Sequence, residues 1–364
     1  MKFVISKTDL GDLIGRIQNV VSPKPTIPIL SNLMVEAINE ELVITATDLT
    51  VGMRCFCPAK VLNEGATTIP ARRFFQLIRE LTSSNIEISS AKQVTEVFAD
   101  TSRFKLNGKD TSEFPELPDL AGATQFAIAQ DSLREMLFKV SFAVSRDENC
   151  YALTGVYMHI AEGELTFIGT DAKRLAKVHS TIEIDPSFSG HYILPLKAVE
   201  EINKTLAGEG NATIYLLKDK VAVEGSNSIV VTKLVSGDYP NVNRVIPSSA
   251  NTSVELHREE LITLLRQVAL FTADNSSSVC FSFIQGELKL SANTSEIGEG
   301  NVSMPVNYTA DPIDIAFNPH SFLDVLKHSR DETVKLGIID AYNPGLITDS
   351  STALFVLMPM RLNQ

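Results

Sequence analysis

Three stretches of the sequence are versions of one another, and they recur at a fixed interval. Leu42-Val-Ile-Thr-Ala-Thr-Asp48, Leu165-Thr-Phe-Ile-Gly-Thr-Asp171 and Leu288-Lys-Leu-Ser-Ala-Asn-Thr294 begin 123 residues apart. That period is too long for a solenoid repeat and matches one small domain. The chain therefore reads as three copies of one domain in a row. The middle copy is the fullest: an apolar strand, a tight Gly169-Thr-Asp171 turn, then a basic, partly apolar strand through Leu175.

The same interval governs the helices. Leu10, Leu13, Ile14 and Ile17 fall at helical spacing, and Leu133, Met136, Leu137 and Val140 repeat the stripe. Leu261, Leu264, Leu265 and Val268 repeat it once more. The Lys7-Thr8-Asp9 segment, through Thr8, is expected to cap the first helix. From stripe to strand motif the interval is 32 residues in two copies and 27 in the third, which indicates a trimmed loop. Turn residues join paired strands at Asn39-Glu40-Glu41, Glu162-Gly163-Glu164 and Gln285-Gly286-Glu287. Second helices are expected over 71–81, 196–206 and 319–327, each entered beside a proline. Each copy is thus two helices plus about eight strands, an α+β domain. The expected domains are 1–122, 123–249 and 250–364, with turn-prone stretches at the joins.

Composition narrows the function. A hydrophobic content of 44% and a charged content of 21% suit packed cores. The longest apolar runs, such as Ala353 to Met358, are far short of the ~20 residues that span a bilayer. The N-terminus lacks the apolar core and cleavage site of a signal peptide. Cys55 and Cys57 point to one face of a strand, and no CxxC occurs among the four cysteines. A cytoplasmic protein with reduced thiols is expected. Phosphate-binding glycine loops, HExxH and GxSxG motifs are missing, and the six histidines have no metal-ligand spacing. No catalytic residue, metal or cofactor is expected, and Asp48 and Asp171 read as turn-capping residues.

The net charge of −12 argues against nucleic acid, whose affinity comes from Lys and Arg displacing counterions. A local field can nevertheless oppose the global one. Arg16, Lys139 and Arg266 recur off the apolar stripe of the first helices. Arg72, Arg73, Gln76 and Arg79 lie off the Phe74, Phe75, Ile78 side of the second helix; Lys197 and Lys204 do so in copy two. His320, Lys327, His328 and Arg330 do so in copy three. Recurrence on one element of all three copies suggests a basic surface that holds a polyanion without reading sequence. A repeat scaffold that binds proteins and no DNA is the other reading, and reversing these charges would leave it intact.

The whole chain resembles the bacterial DNA polymerase III beta subunit, the sliding-clamp family. The likeness rests on Met1-Lys-Phe3, Pro25-Thr-Ile-Pro-Ile-Leu-Ser-Asn-Leu33, Thr45-Ala-Thr-Asp48 and Gly169-Thr-Asp-Ala-Lys-Arg-Leu-Ala176. It extends to Gly237-Asp-Tyr-Pro240, Arg244-Val-Ile-Pro247 and Met358-Pro-Met-Arg-Leu362. The resemblance implies three tandem clamp domains in a head-to-tail homodimer, with helices inside, antiparallel sheets outside and duplex DNA encircled. Six similar units close such a ring by rotation. It implies a non-catalytic processivity factor that tethers the DNA polymerase III alpha subunit and other proteins bearing clamp-binding motifs. An ATP-dependent clamp loader would open the ring.

By matching position, the resemblance places a partner-peptide groove at Leu153, Thr170, Ala172, Lys173, Arg174 and Leu175. Pro240, Val245, Asn318 and Val356 continue it, and Met358, Pro359, Met360, Arg361 and Leu362 complete it. Apolar side chains would form the trough, flexible methionines would adapt to varied anchors, and Thr170 and Arg174 would orient the peptide. The family usually has Gly-His at Ala172-Lys173. For DNA, Lys24 stands at the place of a family arginine and Tyr151 matches one of two tyrosines, the second being Ala152. Arg72, Arg73, Arg79, Lys197 and Lys204 join them from helix position. For the dimer, Phe104 and Leu106 match positions that pack on a pair here occupied by Leu270 and Phe271. Arg103, Lys105, Glu296 and Glu299 would form the charged surround.

Overall fold

The computed structural model describes residues 1–248, 250–273 and 278–361. Copy one runs β1 (Lys2–Ser6), α1 (Lys7–Ile17), β2 (Asn32–Ile38), β3 (Glu41–Thr47), β4 (Val51–Pro58), β5 (Lys60–Asn63), β6 (Gly65–Pro70), α2 (Ala71–Glu80), β7 (Asn85–Ala91), β8 (Val94–Ala99) and β9 (Ser102–Asn107). Copy two runs β10 (Thr124–Ala129), α3 (Gln130–Ser141), β11 (Gly155–Ala161), β12 (Glu164–Thr170), β13 (Arg174–Thr181), β14 (Gly190–Pro195), α4 (Leu196–Thr205), β15 (Asn211–Leu216), β16 (Lys220–Gly225) and β17 (Ser228–Lys233). Copy three runs β18 (Thr252–His257), α5 (Arg258–Ala269), β19 (Val279–Ile284), β20 (Glu287–Thr294), β21 (Gly298–Pro305), β22 (Ile313–Phe317), α6 (Pro319–His328), β23 (Thr333–Ile338), β24 (Gly345–Thr348) and β25 (Leu354–Leu357).

The expected hairpins form. In β2, Leu33, Val35 and Ala37 are buried on alternate positions, which is the period of a strand with one face on a core. Its turn to β3 holds Asn39 and Glu40 at φ 49° and 61°, and Glu162 and Gly163 do the same at 53° and 74°. Two successive positive φ angles match the twist of an antiparallel pair.

The helix stripes are core, with two corrections. Ser6, not Thr8, caps α1, its side chain accepting from the Asp9 amide at 3.0 Å. The break falls there because β1 runs directly into the helix, leaving Ser6 the last extended residue. In α5, Ile262 is fully buried while Leu264 is only half-buried. All four cysteines are free thiols, and burial pushes the Cys55 thiol up to about 12.

The chain condenses into two compact units that cut across the second copy. One unit comprises Met1–Arg134, Ile182–Ile184 and Leu194–Leu234. It holds a five-stranded sheet ordered β5-β1-β7-β8-β9 and an eight-stranded sheet ordered β10-β15-β16-β17-β4-β3-β2-β6. The other comprises Glu135–Thr181, Asp185–Ile193 and Val235–Gln364. Its sheets are β14-β11-β12-β13-β25-β24-β23-β18 and β21-β20-β19-β22. Each eight-stranded sheet is therefore half one copy and half the next, stitched by one antiparallel pair. β17 joins β4 with Val230 opposite Met53, and β25 joins β13 with Phe355 opposite Ala176. These are equivalent positions, so the two joints share one register. Backbone hydrogen bonds run unbroken through each joint, which is why the compact units do not follow the repeat.

Candidate functional site

The repeated Thr-Asp turn organises both joints. Thr47 Oγ1 donates to the Val51 carbonyl at 3.1 Å, while Asp48 Oδ1 accepts from the amides of Thr50 and Val51 at 2.9 and 2.7 Å. In the second copy Thr170 Oγ1 donates to the Arg174 carbonyl at 2.6 Å, and Asp171 Oδ1 accepts from Lys173 and Arg174 at 2.9 Å each. Both aspartates are turn caps, as the sequence suggests. The turn forces the next residue left-handed: Leu49 at φ 75° and Ala172 at φ 69°.

From that turn each joint makes an ion pair, with opposite polarity. In the first unit Asp48 accepts from Lys197 of α4 at 2.6 Å, and the same ammonium donates to the Val20 carbonyl at 3.1 Å. In the second, Arg174 holds Asp171 at 3.1 Å, reaches Asp324 of α6 at 2.7 Å and donates to the Phe142 carbonyl at 2.9 Å. Its guanidinium also lies 5.2 Å from the Phe142 ring centroid. Arg174 is thus engaged throughout by groups of its own unit while it lines the cleft. The Thr170 hydroxyl is likewise committed to its own turn.

Beside this pair His328 packs against Phe138 and Phe142, with ring centroids 4.4 and 4.2 Å away, and bonds the Asp324 carbonyl at 2.7 Å. It is not a surface cation. Burial holds its imidazole below the ordinary histidine range; Asp324 opposes the shift, and Arg174 and Lys327 add to it. A depressed folded pKa contributes stability above the unfolded value of about 6.5, and that stability is lost as pH falls through the folded value. Urea midpoints should therefore drop as pH falls below about 6.5, and His328→Phe should flatten that part of the profile. An unchanged slope in the variant would refute the assignment.

The second joint opens into a cleft within one unit. Leu153, Thr170, Ala172, Arg174, Leu175, Pro240, Val245, Val356 and Met358 line it, together with Asn241 and Val242. It encloses about 620 Å³ including its open mouth. The floor is an apolar cluster of Ile168, Leu175, Val242 and Val356. Behind it Tyr239 stacks on Tyr157 at 4.5 Å, and burial, then the Tyr157 phenol, pushes the Tyr239 phenol up. A second chamber shares Met358 and adds Lys173, Asn318, Pro359 and Met360, with Ser321 and Leu357. Asn318 is also the cap of α6, accepting from His320 and Ser321. Arg361 is exposed and lines neither chamber; Leu362 lies outside the described residues. Sequence reasoning missed Asn241, Val242, Ser321 and Leu357. Val242 could have been found, since it is the one large apolar side chain between the quoted Pro240 and Val245.

The basic residues divide. Arg16, Arg72, Arg73, Arg79 and Arg266 are exposed, as are Lys24 and Tyr151. Arg79 lies 5.7 Å from the Phe75 ring centroid. Lys204 is drawn to Glu201, a carboxylate buried to 2% exposure, at 2.8 Å. Lys197 is paired with Asp48 at 2.6 Å. Lys139 is 3% exposed and pairs with Asp349 at 2.5 Å, although the equivalent Arg16 points outward. Arg330 is exposed but pairs with Glu135 at 2.8 Å.

Two sheet edges carry the expected dimer residues. β9 ends one sheet, with Phe104 37% exposed and Arg103 and Lys105 both drawn to Glu96, at 2.6 and 3.1 Å. Its Leu106 is half-buried. β21 ends another sheet and carries Glu299. Leu270 is 74% exposed, and Phe271 lies so close over Gly300 that a Cβ there would fall 2.5 Å from the ring. No helix among the described residues is long and apolar enough to cross a membrane, and no metal-type cluster gathers among them.

Residues 1–118 match the N-terminal domain of the DNA polymerase III beta subunit, residues 127–241 the central domain and residues 243–361 the C-terminal domain. The beta sliding clamp of Chlamydia pneumoniae is 54% identical over 364 residues, covering all of both chains; that of Chlamydia muridarum is 53% identical with the same coverage. The crystal structure of the Pseudomonas aeruginosa DNA polymerase III beta subunit superimposes with a TM-score of 0.94 at 28% identity, covering both chains fully. The chain belongs to the DNA polymerase III beta subunit family, the DNA sliding clamps.

Proposed function

We propose that this sliding clamp closes its ring by pairing β9 with β21 of a second copy, and captures partner peptides in the cleft of the second joint. As a member of its family the chain is a non-catalytic processivity subunit: a ring-shaped homodimer that encircles duplex DNA and tethers polymerase and other proteins. One observation carries the closure. β17 and β25, the last strands of copies two and three, pair with β4 and β13, the fourth strands of copies one and two. The last strand of copy one is β9 and the fourth strand of copy three is β21, and both end their sheets.

The shared register extends to that pair. Phe104 faces Val97 within its sheet as Val230 faces Val223, and Gly300 faces Ala292 as Met53 faces Ala46. Phe104 then meets Gly300 of the partner subunit, beneath which Phe271 of the partner subunit lies. Lys105 meets Glu299 of the partner subunit, exchanging its internal contact with Glu96. Aromatic anchors dominate such interfaces, with rim charges setting register and encounter.

Exposed Arg16, Arg72, Arg73, Arg79 and Lys24 would meet the phosphate backbone without reading bases. A closed ring needs little affinity, which accommodates a net charge of −12. We place the protein in the cytoplasm, a reading its free thiols support. Its partners there are the polymerase alpha subunit and an ATP-dependent loader. The deciding experiment is retention after loading and a high-salt wash. Salt removes electrostatic binding but not a topological link, so protein should stay on a nicked circle and leave the linearised DNA. Equal loss from both would refute encirclement.

The cleft is tested separately. Met358 is half-exposed and shared by both chambers, so Met358→Glu should spare the fold. It should weaken a fluorescent clamp-binding peptide by about 30-fold, the loss of a central apolar anchor worth about 2 kcal/mol. Retention on circles should be unaffected. Unchanged peptide anisotropy would place the groove elsewhere.

A further inference from the structure

The first joint has a cleft of its own, inside the other compact unit. Thr47, Leu49 and Gly52 line it, each 123 residues ahead of Thr170, Ala172 and Leu175 of the partner cleft. Leu117, on the chain that follows Pro115, lies across Gly52 and floors the cleft with buried Val231.

Two features distinguish it from its counterpart. Leu49 is held at φ 75°, in the left-handed region, with its branched side chain 40% exposed at the cleft, where the second copy has alanine. A bulky residue persists in that conformation only when its surroundings over-determine it, and such outliers gather at binding sites. The Asp48 cap and its ion pair with Lys197 supply that constraint. Second, Lys220 and Lys233 stand directly opposite each other in the pairing of β16 with β17, and both line the cleft. Like charges facing across paired strands destabilise a sheet. Among the described residues the Lys220 ammonium pairs only with the exposed Asp219, at 3.4 Å, and the Lys233 ammonium has no ion pair. Such a pair is relieved by an anion.

We propose that this cleft is a second docking site, which takes a short acidic segment of a partner protein. One apolar side chain seats between Leu49 and Leu117, and the carboxylates bridge Lys220 and Lys233. Glu116 lines the cleft from the loop, so carboxylates are accepted on the strand-borne side alone. A nucleic-acid backbone would satisfy the lysines but has nothing to fill the apolar floor. The site stands on its own residues and does not depend on occupancy of the other cleft.

The test is a selection of random heptapeptides by phage display on the full-length protein carrying Met358→Glu. Enriched sequences should combine acidic residues with one large apolar residue. Their affinity should fall by about tenfold or more in a K220E/K233E double variant, a loss of about 1.4 kcal/mol, and stay unchanged in the control Lys289→Glu. Leu49→Gly, which relaxes the backbone, should weaken the same peptides without lowering the thermal midpoint. No enrichment, enrichment of peptides without acidic residues, or equal binding to K220E/K233E would overturn the site. So would a double variant that loses only affinity for linear duplex DNA, since that would assign the lysines to nucleic acid.

Discussion

Replacing Leu270 with glutamate should leave the folded chain intact and abolish retention on nicked circles. At 74% exposure Leu270 contributes little to the core, and surface substitutions of that kind usually shift stability by about 0.5 kcal/mol or less. In the proposed dimer it stands beside Phe271, under the edge that receives Phe104. A carboxylate there meets an apolar anchor and adds to the charge of Glu296 and Glu299 on its own side. Central apolar anchors cost about 2–4 kcal/mol when lost, so the dimer dissociation constant should rise roughly a hundredfold. Sedimentation equilibrium measures that rise, and circle retention reports its consequence. A variant that stays dimeric, with an undiminished lifetime on DNA, would move the interface away from β9 and β21.

Lys139→Met should cost the fold about 3–5 kcal/mol, because it leaves Asp349 as a buried charge without its partner. The Lys139 ammonium lies 2.5 Å from Asp349 and 2.9 Å from Ser351 Oγ, while Ser329 Oγ donates to the same carboxylate at 3.1 Å. Burial pushes the Asp349 carboxyl up, but Lys139 and Ser351 outweigh it and hold it below the ordinary carboxylate range. In the parent, the stability from this group is present above the unfolded pKa and lost as pH falls through the depressed folded value. In the variant only the Ser351 and Ser329 bonds oppose burial, so the carboxyl pKa rises from its depressed value and the penalty is relieved by protonation. The deficit should thus be largest at neutral pH and shrink towards pH ~4, near the ordinary aspartate value. Urea unfolding across that range measures it; a deficit constant with pH would show that lost packing, not charge, is responsible.

Much of this was legible in the sequence because it is local or periodic. The buried stripe of Leu10, Leu13, Ile14 and Ile17 follows from helical spacing, and the Asp48 and Asp171 caps follow from turn chemistry. What the repeat could not convey was divergence within it. Arg16 and Lys139 occupy one position of the period, yet only Lys139 has an acid, Asp349, brought to it from 210 residues away. Lys197 reads as a surface cation until β17 and β4 pair and place Asp48 beside it. The internal bonds of Arg174 were hidden for the same reason: its partners at Phe142 and Asp324 belong to other elements. The edges were half legible, since Phe104 could be named but not the register that, in the proposed dimer, sets Lys105 against Glu299 of the partner subunit.

The shared register also bears on how the chain is born. Met53 and Val230 face each other across 177 residues of sequence, so a chain leaving the ribosome presents β4 as an open edge long before β17 exists. The equivalent strand already made is β9, on the same chain and on every neighbour. Open edges of this kind seed misassembly between nascent chains. β9 carries Arg103 and Lys105 where β17 carries Ile229 and Val231. By the shared register Arg103 would be set against Arg54 on β4, a like charge, and Lys105 against Gly52, whereas in the proposed dimer Lys105 finds Glu299 of the partner subunit. In the proposed dimer Lys105 thus favours the correct partner edge, while Arg103 discourages a premature one during synthesis.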